Sequence, residues 1–529
     1  MKRSVALLLL LAMIMGIFSG CAKEEEEAYV PTGSALLMEG DDPAEHLAEE
    51  PEPQNFSLAY DSGRSMNPLI GYSQTNRVLF SLIYQSLFSV DASGKPIPIL
   101  CSAFQVTPSN MTYTFYLDDR ATFSDGTPVT VDDVIASMER ARNSDYYKGR
   151  FTYVDRVTPS SDGGVDFMLT TPYENFPQLL DIPIVKASQV DAEFPLGTGP
   201  YTFSEGLSGY TLLRNPNWWV KDVRIPVRAE VIPLVEAFSD TEVRDEFEFG
   251  DVGLACVNTL SDAYAQFRCD YELWEVDSGV MLYLGCNVLY SPYFDDGFLR
   301  TVLTYAIDRE TINDKYYRGH GAVATLPISP NSPHYSTSLA AGYAYDSMKF
   351  INAISGWQVP KFPDEPDRKL RLLVNCDDSA RLRTARYLAE VLTEFGIPTG
   401  TLEYGAATKP TYEEVLRANN WDLHLGQTRL PANYDLSEFF RLWGNLSWGG
   451  LPHEDILKKC KECLANSGNY YNLMQLLAED GRVIPILFGN YSVYSARGMF
   501  DGLAPARDNA FCYSIGKTMS GIKIDTVYN

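Results

Sequence analysis

The chain has 529 residues, with 43 Lys and Arg against 69 Asp and Glu, giving a formal net charge of −26 and a pI near 4.6. With 45% apolar residues it can bury a large core, so disordered and fibrous classes are excluded, and the length fits two to four domains at about 150 residues each. The acidity argues against nucleic-acid binding and against docking to anionic lipid through a basic patch, both of which need clustered Lys and Arg.

Lys2 and Arg3 precede an apolar run over 5–18, interrupted only by Gly16. At about 14 residues it is short of the roughly 20 that span a bilayer, and the order of basic, apolar and small residues predicts a secretory signal. Phe18-Ser19-Gly20-Cys21 resembles a bacterial lipobox, so 1–20 is expected to be a lipoprotein signal peptide and Cys21 the acylated residue. Phe18 stands where Leu is usual, and the alternative is an ordinary signal peptide with an incidental Cys. Residues 22–54 hold eleven acids and one base, Lys23, with four prolines. Such a segment cannot bury enough apolar surface to repay ordering, so 21–54 is expected to be a self-repelling tether on the lipid anchor.

Beyond Phe56 short strands and helices alternate. Strands are predicted over 57–60, 113–117 and 165–169, and a helix capped by Thr130, with Val131, Val134, Ile135 and Met138 forming its apolar stripe. A second helix is predicted over 298–307. Then comes a strand–helix–strand unit over 370–374, 381–395 and 399–404. A helix at 412–418 leads to a strand at 422–425, and a helix at 471–478 to a strand at 483–488. Alternation of this kind predicts α/β lobes with largely parallel sheets. The eight cysteines besides Cys21 include one isolated CxxC, Cys460 to Cys463, and are expected to be buried or idle thiols.

Enzyme signatures are missing. No GxxxxGK[ST], HExxH, GxSxG or GxGxxG motif occurs, and the five histidines offer no metal pair on one helical face. Adjacent acids such as Asp132 and Asp133 fit a helix first turn better than a general acid–base pair. No catalytic residue, metal or cofactor is expected.

A series of motifs carries a resemblance. SMNPL (65–69), LIYQSLF (82–88), KPIP (95–98), YTFYL (113–117), FSDGTPVTVDDV (123–134), GTGPY (197–201), LRNPNWW (213–219), EFGDV (248–252) and FLRTVLTYAIDR (298–309) follow in order. In this order they resemble family-5 extracellular solute-binding proteins of ABC importers, the peptide-, dipeptide- and nickel-binding lipoproteins. Most of these positions make sense as scaffold: 125–128 is a turn delivering the chain to the helix capped at Thr130, and Gly197 and Gly199 allow a tight backbone path. Arg300 and Arg309 are expected to pair with acidic neighbours.

The resemblance implies an α/β, two-lobed periplasmic-binding-protein-like fold (type II, with the extra subdomain of the large peptide binders). The first lobe would comprise 55–277 and 490–529, with the subdomain at about 76–189, and the second lobe 278–489, the crossings lying near Asp277 and Gly489. It implies a monomer, anchored to the outer face of the bacterial cell membrane, that closes on a solute and presents it to a permease driven by a separate ATPase. An oligopeptide is the expected solute. A non-peptide solute, a sensory or signalling-peptide receptor on the same fold, and an exported hydrolase are the alternatives.

In the family, residues before the Asn-Pro motif line the cleft, here Asp61, Ser62 and Gly63. A second-lobe loop of the form W-x-x-D-Y-x-D-P, whose first Asp receives a peptide ammonium, corresponds to RLPANYDL at 429–436. Aligned on Asp435 and Leu436, the ammonium-binding position is Ala432 and the Trp position Arg429. Two readings stand side by side. Either Arg429 forks onto a ligand carboxylate, or the plainer reading holds, in which Asp435 takes the ammonium on a shifted loop or Arg429 pairs with a nearby acid. Trp421, Tyr434, Trp443 and Trp448 are aromatic candidates for the cleft or the core. Trp421 and Tyr434 join Asp61, Ser62, Gly63, Arg429 and Asp435 as the expected ligand-binding residues.

Overall fold

A computed structural model describes residues 55–71, 73–207, 209–221, 223, 225–258, 268–442, 444–450, 453–517, 519 and 523–526. The signal peptide, Cys21, the tether and Trp443 lie outside the described residues.

Two long antiparallel strands, Tyr271–Cys286 and Val483–Ala496, form the spine of an eleven-stranded sheet. Their register shifts between Asp277 and Val280, opposite Asn490 and Gly489. On one side of the shift Leu254–Asn258 pairs with Val483–Ala496, and Leu58–Tyr60, Val231–Glu236, Gly209–Arg214 and Tyr201–Gly206 continue the sheet. On the other side Leu423–Arg429 pairs with Tyr271–Cys286, followed by Leu370–Asn375 and Thr399–Tyr404, while Gly321–Val323 pairs with Val483–Ala496. Each half of the spine thus anchors its own lobe. One large core gathers around Phe88, Phe115 and Phe167 in the first lobe, where Leu464 of the second lobe joins it, and another around Leu284, Leu372 and Ile486 in the second lobe.

The first lobe carries a five-stranded sheet in the order Lys523–Thr526, Cys101–Val106, Thr112–Leu117, Val165–Leu169, Val154–Pro159. All its pairings are antiparallel except that of Lys523–Thr526. The expectation of largely parallel sheets is corrected here and along the spine. Val154–Pro159 and Val165–Leu169 are joined by five residues, a hairpin length, whereas a parallel pair needs a crossover of a dozen or more. The strand–helix–strand unit does pair in parallel, Leu370–Asn375 with Thr399–Tyr404 across the helix Ser379–Glu394.

Local chemistry fixes several of these elements. Thr130 caps the helix Val131–Arg142 in a capping box with Asp133, and Val134 and Met138 are fully buried beneath it. A Cβ on Gly197 would lie 2.1 Å from the Ile83 carbonyl oxygen, so only glycine passes there. The helix expected over 298–307 is instead the α-turn Phe298–Val302 running into the 3-10 turn Leu303–Ala306. Arg309 explains the change and corrects its expected acidic pairing. Its buried guanidinium donates to the carbonyls of Thr304 and Ile307, at the end of the tightened turn, and to those of Ala324 and Pro485, all at 2.9–3.3 Å. Arg300 likewise donates to the Asp480 carbonyl at 2.7 Å.

The eight cysteines from Cys101 to Cys512 are free. Burial raises the Cys101 and Cys256 thiols to about 12. At neutral pH they are packing groups.

A candidate ligand cleft

The loop that follows Leu423–Arg429 enters the cleft where the spine changes register. Leu430 donates its N–H to the Gly279 carbonyl at 2.9 Å, which fixes the loop to the register shift. Tyr434 turns the chain with φ of 50°, its N–H donating to the Pro431 carbonyl. Its hydroxyl donates to Asp277 Oδ2 at 3.1 Å, and Asp277 Oδ1 accepts the Gly279 N–H at 2.7 Å. Asp435 then accepts the Ser437 N–H at 3.0 Å and its hydroxyl at 2.9 Å. Tyr153 crosses from the first lobe to donate to the Ser437 hydroxyl at 2.9 Å.

Two chambers flank this loop. One, of about 480 Å³, lies between first-lobe residues from Asp145 to Thr152 with Asp181 and second-lobe residues from Arg429 to Arg441, with Arg507 and Asp508 at its end. The other, of about 280 Å³, lies between the 90–96 turn and Tyr434, Tyr470 and His334. Val90, Ala432 and Arg507 line both. The His334 and Tyr470 rings stack at 4.4 Å, and burial lowers the imidazole pKa, favouring its neutral form.

Charge in the larger chamber is organised into pairs. Lys148 meets Asp145 at 2.6 Å and Arg429 meets Asp508 at 2.5 Å, while Arg150 pairs with Asp181 and Arg441 with Glu438. Asp508 is also 3.8 Å from Arg77, and Tyr146 donates its hydroxyl to it. The Tyr146 ring centroid lies 4.1 Å from the Arg77 guanidinium, 5.2 Å from that of Arg429 and 5.7 Å from that of Arg150, so one ring serves three cations. Burial works to raise the Asp508 carboxyl, but Arg429, Arg77 and Arg507 outweigh it and hold the group far below the usual carboxylate range. Asp435 shows the reverse. Burial pushes its carboxyl up, opposed only in part by the hydrogen bonds from Ser437, and among the described residues no cation pairs with it.

The expected residues divide accordingly. Arg429, Tyr434 and Asp435 come together along the cleft. Of the roles open for Arg429, the structure supplies the pair with a nearby acid, Asp508. Asp61, Ser62 and Gly63 line neither chamber. Asp61 is buried, accepting from the Gly63 N–H at 3.0 Å and the Ser73 hydroxyl at 3.3 Å, with its backbone bound to Asn76. Ser62 and Gly63 are exposed, and Ser62 donates to Glu236. These residues hold the turn after Leu58–Tyr60. Trp421 is fully buried among Leu373, Val415 and Leu416, and its indole N–H donates to the Leu416 carbonyl at 3.1 Å. Trp448 packs against the same cluster.

Sequence reasoning missed Arg77, Tyr146, Arg150, Arg507 and Asp508, which come from three separated segments and share no motif. Asp508 has φ of 63° and Arg507 reaches back over Gly279, at φ of 70°, where an added Cβ would fall 1.6 Å from its guanidinium. Gly279→Ala is therefore expected to expel that guanidinium and strain the crossing, costing about 1–2 kcal/mol as a lowered urea midpoint. An unchanged midpoint would mean that the bend tolerates a side chain.

The description "Bacterial extracellular solute-binding proteins, family 5 Middle" belongs to the family model that matches residues 95–449. The glutathione-binding protein GsiB of Pectobacterium atrosepticum is 26% identical over 313 residues, 54% of this chain and 57% of that one. The oligopeptide-binding protein AppA of Bacillus subtilis is 22% identical over 456 residues, 78% of this chain and 82% of that one. Three curated relatives, GsiB among them, are spanned over only 57%, 55% and 61% of their length. The crystal structure of the ABC transporter substrate-binding protein CtaP from Listeria monocytogenes matches with a TM-score of 0.69 at 18% identity, covering 87% of this chain and 98% of that one. That likeness shows the fold, two-lobed and periplasmic-binding-protein-like.

Proposed function

Because the chain belongs to the bacterial extracellular solute-binding proteins of family 5, we propose that it captures an oligopeptide by closure of its lobes and delivers it to the permease of an ABC importer, a separate ATPase supplying the energy. Members of this family bind solutes rather than transform them. The observation that carries the reading is the chamber of about 480 Å³ walled by both lobes at the register shift of the spine, within the usual size of a small-molecule site. In this reading 55–277 with 490–529 moves against 278–489 by rotation at Asp277 and Gly489, and 76–189 is a subdomain of the first lobe. Direct bonds already cross the cleft, as from the Glu174 N–H to the Leu464 carbonyl at 2.8 Å. Asp435, half-buried and without a cation partner among the described residues, receives the peptide ammonium, while Tyr434 packs beside the ligand. Cys21 carries the lipid that holds the protein, a monomer, at the outer face of the membrane.

Native mass spectrometry of protein purified without unfolding, then denatured to release cargo, tests the proposal. A ladder of short peptides is expected, and a single discrete non-peptide mass would overturn the oligopeptide assignment. Peptide at about 100 times its dissociation constant should add about 2.7 kcal/mol, a melting shift of very roughly 5–11 °C for lobes of this size.

A further inference from the structure

Four of the five cations lining the larger chamber are ion-paired with four of its five carboxylates. Two charges are left over, Asp435 and Arg507. The Arg507 guanidinium donates to the Leu430 carbonyl and packs on Gly279. Of the acids that line the chambers with it, Asp508 is taken by Arg429 and Arg77, and Asp277 accepts from Tyr434 and Gly279. Among the described residues no carboxylate pairs with Arg507. A guanidinium carries five donors in a fixed fork that matches a carboxylate in its plane, and one bond to a carbonyl leaves most of that fork unused. The position is held by construction, because Arg507 lies at the spine crossing and lines both chambers.

We propose that Arg507 is the carboxylate-binding residue of the cleft, so that the solute carries an anionic group docked at the junction of the two chambers. The inference rests on the capture reading and deepens it: with Asp435 at the ammonium, the cleft selects a solute bearing both charges. Arg429 is a positioning residue here, since its bond to Asp508, shared with Arg77, leaves that one acid to offset Arg507 only in part. A peptide C-terminus and a non-peptide carboxylic acid would both supply the anion, and the test separates them.

The full chain is challenged with a randomised tripeptide mixture bearing free C-termini, the same mixture amidated, and tricarballylate, and retained ligand is weighed. Retention of the free acids about 10- to 100-fold above the amides is expected, the worth of a charged hydrogen-bonded contact, and Arg507→Met should abolish the difference. Arg507→Lys, which keeps the charge, should retain part of it and guards against a variant that fails to fold. Retention of tricarballylate alone, lost in Arg507→Met, would support the subsite and overturn the peptide assignment. Equal retention of acids and amides, or discrimination unchanged in Arg507→Met, would overturn the subsite and leave capture standing. No retention in any arm would overturn both.

Discussion

Replacing Asp508 by Ala is expected to cost about 3–5 kcal/mol, the loss that follows when one partner leaves a buried ion pair and its counter-charge stays behind. The Asp508 side chain is 6% exposed and that of Arg77 8%, so water cannot take over from the missing carboxylate at Arg77. Arg429 is 28% exposed and partly rehydrates, which places the loss nearer the lower end of the range. The remaining cations, Arg77, Arg429 and Arg507, would repel one another across a few ångströms. Urea unfolding measures the effect directly. A loss below about 1 kcal/mol would mean that the cluster behaves as a solvated surface pair. The sign with pH is fixed by the same contacts. Because the folded-state carboxyl is depressed, its contribution is complete above the unfolded value of about 3.9 and is lost as pH falls through the folded value. Wild type should therefore lose stability on acidification below about pH 4 more steeply than Asp508→Ala.

That cluster also marks where the sequence stops being informative. The capped helix Val131–Arg142, the strand Val165–Leu169 and the parallel unit from Leu370 to Tyr404 are local, each signalled by periodicity and caps within twenty or so residues, and each formed close to its expected bounds. The strand Tyr271–Cys286 was illegible for the opposite reason. Its Asp277-Ser278-Gly279 step reads as a strand terminator, yet it is a bend inside one continuous strand, tolerated because Asp277 accepts the Gly279 N–H and Ser278 donates to the Gly489 carbonyl. The cleft shows the same divide. The 429–436 loop was visible through its resemblance to one contiguous family segment, which carries Arg429, Tyr434 and Asp435 together. Arg77, Tyr146, Arg150 and Asp508 converge only through tertiary packing, and nothing in their own neighbourhoods distinguishes them from a solvated cation or a turn aspartate. Asp61 was expected by analogy, and here its short polar side chain accepts from Gly63 and serves a turn.

Trp421→Ala should cost about 3–5 kcal/mol while leaving the affinity for captured solute unchanged when both are measured well below the unfolding transition. The argument is one of volume and satisfaction. The ring is fully buried against Leu373, Val415 and Leu416, lies 4.7 Å from the His424 ring at 68°, and spends its only donor on the Leu416 carbonyl. Truncation opens a cavity on the strand that ends at Arg429, and it strips apolar cover from His424, whose imidazole is held at about 3 by burial. A rehydrated His424 regains a more ordinary pKa, so the variant's deficit should change little at neutral pH and narrow as pH falls toward 5, where an imidazole freed to protonate favours the altered fold. A variant that keeps its stability but loses solute would return Trp421 to the ligand. One that loses both at temperatures far below melting would show that the strand Leu423–Arg429 transmits the cavity to Arg429, making the second-lobe core a determinant of the cleft's charge geometry.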